Sequence, residues 1–394
     1  MPRITASPAL SRLRILDLTR VRAGPTCVRQ FADFGADVIK IETTEPEDLG
    51  GAREGPDFQN LHRNKRSITL NLKTPEGKAV FAKLATTADV VVENYRPDVK
   101  QRLGIDYASL KKINRRIILA SISGFGQDGP YVSRPGFDQI AQGLSGIMSV
   151  TGKPGEGPMR VGAAVADVAA GLLAALGIMT ALLEREQSGE GQWVQSNLLQ
   201  AGIALLDFQA ARFTMSGEVA PQLGNDHPTS MPTSAYKTAD GYMNVAAAGT
   251  VIWKRLCEAI GRPELAEHPD YASAEQRAKN RRALNVEIDR ALATKTSAEW
   301  VEILNQAGVP CGPIYTMDQV FADPQVKHLG AAAEVAHPRL GTLRILNQPI
   351  KLSRTPARLA SPTPERGEHT EEVLRELGLS DAEIAALRQK NVIT

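Results

Sequence analysis

Residues 13–123 predict an α/β fold built on a doubly wound parallel sheet, and three observations carry that prediction. Short apolar runs recur at 13–18 (LRILDL), 36–42 (ADVIKIE), 89–94 (DVVVEN) and 115–123 (RRIILASIS). Helical patterns separate them, so strand and helix alternate along the chain. Breakers sit where a crossover unit needs them: Gly24-Pro25 opens the first helical stretch and Gly35 closes it.

The first strand, the stretch TCVRQFADFG and the second strand make one compact βαβ unit. Thr74-Pro75-Glu76 starts a second helix that runs to about Ala88, with Val80, Leu84 and Ala85 on one face. The strand at 89–94 follows, then short helical structure to Asn114, then the strand at 115–123. Between Arg160 and Glu184 the chain reads VGAAVADVAAGLLAALGIMTALL, with Asp167 its only charged residue. Its core, 168–183, is shorter than the roughly 20 residues of a membrane span and is broken by Gly171 and Gly177, so a buried helix and no membrane association are expected.

The pattern then changes. Residues 221–241 are rich in Pro, Gly, Ser and Thr and read as a long loop. A strand at 242–248 and helices around 252–260, 273–293 and 297–307 follow, and Gly308 to Pro313 reads as a breaker. A helix at 370–377 ends at Gly378, and another begins at Ser380 with Glu383 at capping-box spacing.

A chain of 394 residues, 42% hydrophobic and 23% charged, is expected to form two domains or one large domain carrying an insertion. A net charge of +2 gives no field that would favour nucleic acid. The basic clusters at 62–66 and 111–116 read as solvated faces. Three scattered cysteines make neither a disulfide framework nor a zinc site, and a cytoplasmic setting is expected. No apolar stretch near the start suggests a signal peptide. The six histidines are dispersed, so no metal site is expected.

Gly124-Phe125-Gly126-Gln127-Asp128-Gly129 has the G-x-G-x-x-G form. A dinucleotide site needs a helix opening on its last glycine, and Pro130, Pro135 and Gly136 occupy that stretch. Nicotinamide and flavin binding are rejected on that ground. The turn Val21-Arg22-Ala23-Gly24-Pro25 is a better ligand site, because it lies between the first strand and its helix, where open α/β sheets bind phosphorylated ligands. Arg22 adds a permanent cation with planar, multidentate donors. Asp167 is the anomaly of the chain. A carboxylate among Ala, Gly, Val and Leu is costly to desolvate, and it reads as a helix cap, a salt-bridged group, a base or a nucleophile.

Together these segments resemble the class III coenzyme A transferases, the CaiB/BaiF family that includes formyl-CoA transferase and carnitine CoA-transferase. The resemblance runs through ILDLTRVRAGP, FGADVIKIE, NKRSITLNLKTPEG, ADVVVENYRP, RRIILASISGFGQDGP, DVAAGLLAALGI, VPCGPI and GEHTEEVL. It implies a large Rossmann-like domain (residues 1–220 and 326–394) with a smaller inserted α+β domain (221–325), and two chains interlocked as a homodimer. It also implies transfer of CoA between an acyl-CoA donor and a small carboxylic acid acceptor, with no tightly bound cofactor. Asp167 matches the catalytic aspartate of that family. Arg22, Ala23, Leu70, Lys73, Asn94, Tyr95, Arg96, Arg102, Gly124 and Phe125 match its coenzyme A contacts. Succinyl-CoA as donor, with a dicarboxylate or hydroxyacid acceptor, lies within the family's range.

The chain departs from formyl-CoA transferase at Arg22, where that enzyme has Gln, at Thr43, where it has Arg, and at Ser123, where it has Lys. GNDHPTSMPTSAYKTADG (224–241) also replaces its glycine-rich loop. Racemases of this fold pair the aspartate with a histidine, but the matching position here is Phe137, which cannot accept a proton. A non-catalytic acyl-CoA-binding role is the remaining alternative.

Overall fold

The structure, a computed structural model, describes residues 6–45 and 52–394. Six strands form one sheet: β1 (Arg14–Asp17), β2 (Asp37–Glu42), β3 (Arg66–Thr69), β4 (Val90–Glu93), β5 (Ile118–Ser123) and β6 (Trp193–Asn197). Their order is β3-β2-β1-β4-β5-β6, and every neighbouring pair is parallel. The order reverses between β1 and β4, which makes that gap the switch point where a doubly wound sheet opens to ligands.

Strand residues alternate between the two faces, so the sheet separates two apolar layers. Ile15, Val38, Val90, Val92, Ile118 and Ala120 pack into one of them. That layer is closed by α1 (Ala23–Asp33) and by the Ala-rich helix. Leu16, Ile39, Ile68, Val91 and Leu119 pack into the other layer. After β2 and β3 come α2 (Pro56–His62) and α3 (Pro75–Thr87), and after β4 come α4 (Pro97–Leu103) and α5 (Tyr107–Ile113). α3 buries Val80, Phe81, Leu84 and Ala85 in the second layer, and its first turn is capped by Thr74, which accepts from Gly77 N at 3.0 Å.

α6 (Asp138–Leu144) and α7 (Ile147–Val150) precede α8 (Val165–Ser188), the Ala-rich helix, which is followed by β6, α9 (Leu198–Leu206) and α10 (Phe208–Ser216). α8 is long and apolar enough to cross a membrane. Only one stripe of it is buried within the chain, through Ala166, Ala170, Gly171, Ala174, Ala175, Ile178, Ala181 and Leu182. Val168, Leu172, Leu173, Leu176, Met179 and Leu183 on the opposite stripe are exposed. The expectation of a buried helix therefore holds for one face. Gly171 is needed there, because a Cβ would stand 2.4 Å from the carbonyl oxygen of Ala23 on α1.

The basic cluster at 62–66 is not a solvated face. His62, Arg63, Lys65 and Arg66 are all buried. Lys65 meets Asp17 at 2.8 Å with both side chains wholly buried, Arg63 meets Asp33 at 2.7 Å, and Arg66 meets Asp37 at 2.7 Å. The expectation failed because charged side chains are found buried where partners offset their desolvation, and here the sheet and α1 supply three carboxylates.

The chain divides into two compact units. The first holds the six-stranded sheet, and the second comprises residues 148–160 and 218–326. In the second, β7 (Thr233–Lys237), β8 (Tyr242–Ala246) and β9 (Cys311–Pro313) form an antiparallel sheet. They pack with α11 (Thr250–Ala259), α12 (Ala274–Lys279), α13 (Arg281–Leu292) and α14 (Ser297–Gln306) around Trp253, Leu284, Ile288 and Trp300. Two sequence expectations change here. The 221–241 loop contains β7, whose Ser234 and Tyr236 alternate inward, and the 308–313 breaker contains β9. The helix expected over 273–293 is two helices that meet at Asn280.

α15 (Met317–Ala322) and α16 (Pro324–Leu329) lead to the hairpin β10 (Ala332–His337) and β11 (Gly341–Leu346). α17 (Thr370–Glu376) and α18 (Asp381–Gln389) then return Val373, Leu374 and Ile384 to the second layer of the large sheet. The capping box at Ser380 and Glu383 forms.

Candidate active site

At the carboxyl ends of the large sheet, the turns after β1, β3, β4 and β5 enclose a cleft of about 760 Å³. It lies at the switch point, and every residue that lines it belongs to the first unit. All the residues singled out from sequence line this cleft: Arg22 and Ala23 after β1, and Leu70 and Lys73 after β3. Asn94, Tyr95, Arg96 and Arg102 come from beyond β4, Gly124 and Phe125 from beyond β5, and Asp167 from the first turn of α8. The G-x-G-x-x-G stretch takes part as a turn, and no helix begins after it until Asp138.

Asp167 is half-buried, and among the described residues its carboxylate accepts no hydrogen bond. It is therefore neither a cap nor half of a salt bridge. The cap of α8 comes from elsewhere. The buried Asp138, at the start of α6, accepts from the backbone N–H of Ala166 at 2.9 Å and of Asp167 at 3.2 Å. Gln142 donates to the other Asp138 oxygen at 2.7 Å and accepts from Val161 N–H at 2.9 Å, fixing the segment that leads into α8. Burial pushes the Asp167 carboxyl up to about 6, and the Asp138 charge adds to the rise while Arg22 opposes it. An unpaired carboxylate of raised basicity that is ionised at neutral pH is a serviceable nucleophile.

The turn that carries Arg22 is held firmly. Val21 has φ 62°, a left-handed conformation that is strained for a β-branched residue. The Asn94 side chain clamps the preceding residue, accepting from Arg20 N–H at 2.9 Å and donating to Arg20 carbonyl oxygen at 2.8 Å. Thr19 donates to Asp17 through its N–H at 2.9 Å and its hydroxyl at 2.6 Å. Burial alone would raise the Asp17 carboxyl, but Lys65 and Lys40 hold it below its ordinary value. The buried charge cluster thus serves as the foundation of the first turn.

The remaining cations gather toward the other face of the sheet. Lys73, Arg96 and Arg102 are exposed, and Lys78 donates to the Arg102 carbonyl oxygen at 2.8 Å, tying α3 to α4. Leu70 is buried in the second layer, and Tyr95 carries the Arg20 guanidinium over its ring at 4.9 Å. This side suits a ligand with several phosphates and an aromatic base. Sequence reasoning missed Lys78 and Asp138. Lys78 carried a readable signal, one turn into a helix that starts beside Lys73. Asp138 carried none, because the helix it caps begins more than 25 residues away.

A profile of CoA-transferase family III matches residues 10–370. The chain is 39% identical to a succinate–glutarate CoA-transferase of Agrobacterium fabrum, covering 94% of this chain and 96% of that one. It is 35% identical to the human succinyl-CoA:glutarate CoA-transferase, covering 98% and 90%. It is 36% identical to a formyl-CoA:oxalate CoA-transferase of Rhodopseudomonas palustris, covering 98% and 97%. A CaiB/BaiF family protein from Brucella suis superposes with a TM-score of 0.83 at 34% identity, over 94% of this chain and 99% of that one. With these likenesses spanning nearly its whole length, the chain belongs to CoA-transferase family III and is a CoA-transferase.

Proposed function

We propose that Asp167 is the nucleophile that carries coenzyme A from an acyl-CoA donor to a carboxylic acid acceptor. The observation that carries this reading is a half-buried, unpaired carboxylate at the helix end of a cleft whose far side is cationic. One Asp167 oxygen attacks the thioester carbonyl, the C–S bond breaks, and a mixed anhydride forms as the CoA thiolate leaves. The thiolate then attacks the aspartyl carbonyl, expelling the donor acid and leaving an aspartyl-CoA thioester. The acceptor carboxylate attacks that thioester and releases the thiolate. The thiolate takes the acceptor's acyl carbon from the new anhydride, which restores Asp167. No net proton is consumed, and the apolar helix around Asp167 serves to keep water from the anhydride.

Lys73, Lys78, Arg96 and Arg102 would hold the phosphates of coenzyme A, and Leu70, Tyr95, Gly124 and Phe125 its apolar stretches. Ala23 would line the thioester end. The Asn94 amide is engaged on Arg20, so its part is to shape the turn. The names of the relatives favour succinyl-CoA as donor and a glutarate-like acid as acceptor. Racemisation is disfavoured, because among the described residues no histidine lines the cleft and Phe137 stands at its edge.

A second copy of the chain is the inferred cover for the exposed apolar stripe of α8 and for Phe208, Phe213 and Met215 on α10. A reducing cytoplasm suits three cysteines that are all free. The test is turnover of succinyl-CoA by purified protein with a panel of acids, followed by mass spectrometry of the thioesters. A new acyl-CoA that Asp167→Ala fails to make is expected. Full activity in Asp167→Ala would overturn the reading.

A further inference from the structure

We infer that Arg22 is the specificity residue of this site, its guanidinium taking the distal carboxylate of a dicarboxylic acyl group or acceptor while Asp167 works on the proximal one. The inference rests on the transfer reading above for its substrates but not for its geometry. Arg22 immediately precedes α1, and the start of α1 packs against α8 one turn beyond Asp167, where Gly171 comes closest to Ala23. The arginine and the nucleophile thus stand at the amino ends of two helices that pack against each other on one face of the sheet. Lys73, Lys78 and Arg102 stand with the helices of the opposite face. A CoA thioester whose phosphates take those cations and whose carbonyl meets Asp167 leaves Arg22 on the acyl side.

The present partner of Arg22 is weakly committed. It pairs with Asp57 at 2.9 Å, and the Asp57 side chain is 68% exposed against 32% for Arg22. An exposed pair of this kind contributes little, so a substrate carboxylate presented from within the cleft can displace it and gain a two-pronged contact. The turn also supplies pre-organisation. The strained Val21 and the Asn94 clamp on Arg20 fix the backbone on which Arg22 is mounted. Arg22 is also felt electrostatically at Asp167, so a carboxylate docked on it would remove some of the support it gives the ionised nucleophile.

The test compares binding of glutaryl-CoA and pentanoyl-CoA, which differ only in the distal carboxylate. Titration calorimetry on full-length Asp167→Asn protein, in which the nucleophile is removed, measures both with Arg22 present and with Arg22→Gln added. A preference for glutaryl-CoA of about 10- to 100-fold is expected, abolished by Arg22→Gln and partly kept by Arg22→Lys. A preference that survives Arg22→Gln would overturn the inference, as would equal weakening of both thioesters and free CoA, which would make Arg22 a coenzyme ligand. Turnover of the wild-type protein with any acid tests the transfer itself.

Discussion

Replacing Asp138 by Asn separates its two effects on Asp167, because the substitution removes a charge and keeps a cap. The Asn oxygen can still accept from the N–H groups of Ala166 and Asp167. The hydrogen bond from Gln142 is lost, at a cost of about 1 kcal/mol. The rise of the Asp167 carboxyl from 3.8 to about 6 corresponds to roughly 3 kcal/mol of bias against its ionised form. Burial is the larger cause of the rise and the Asp138 charge adds to it, so neutralising Asp138 should lower that value. The nucleophile must be ionised, so wild-type activity falls as pH drops through about 6. The assay is kcat/KM against pH, which reports the free enzyme. In Asp138→Asn the acid limb should move to lower pH. In Asp138→Ala the same movement should come with a loss of about 1–2 kcal/mol in stability, since both amides lose their acceptor. An acid limb that stays in place in Asp138→Asn, or moves up, would refute the role given to the Asp138 charge.

Asp167→Asn should stabilise the protein at neutral pH. The folded carboxyl titrates above its unfolded value, so wild-type stability is fullest below about pH 4 and is lost as pH rises to about 6. The gain, roughly 2–3 kcal/mol, should be read in thermal melts at neutral pH and should vanish in acid. Gly171→Ala should cost stability and transfer rate together, by about 1–3 kcal/mol of overpacking, because its Cβ meets the Ala23 carbonyl oxygen at 2.4 Å. Denaturant melts beside steady-state rates check it. Lys65→Met removes the salt-bridge partner of the buried Asp17 and leaves its charge to Lys40 and Thr19, which should destabilise the fold by about 3 kcal/mol in the same melts.

The sheet was legible where the chain gave long apolar runs between helices. β3, whose RSIT reads as polar, was not, because the burial of Arg66 and Ser67 depends on partners that sequence does not show. β7 and β9 were hidden by Pro and Gly on their flanks, since each is short and gains its stability from β8 between them. Asp167 stood out because no local residue could pay for its burial. Its environment could not be read, since Asp138 and Arg22 reach it across 29 and 145 positions of chain. The same holds for Lys65, whose cluster looks solvated in sequence and which meets Asp17 only in the folded core.

Covalent attachment of Asp167 during turnover is the step on which the proposed transfer depends. Intact-protein mass spectrometry after brief incubation with succinyl-CoA, followed by peptide mapping, tests it most directly. A CoA or acyl adduct is expected on the peptide that holds Asp167, labile to hydroxylamine and absent from Asp167→Asn. Transfer that proceeds with the adduct on another residue, or at an undiminished rate in Asp167→Asn, would contradict it.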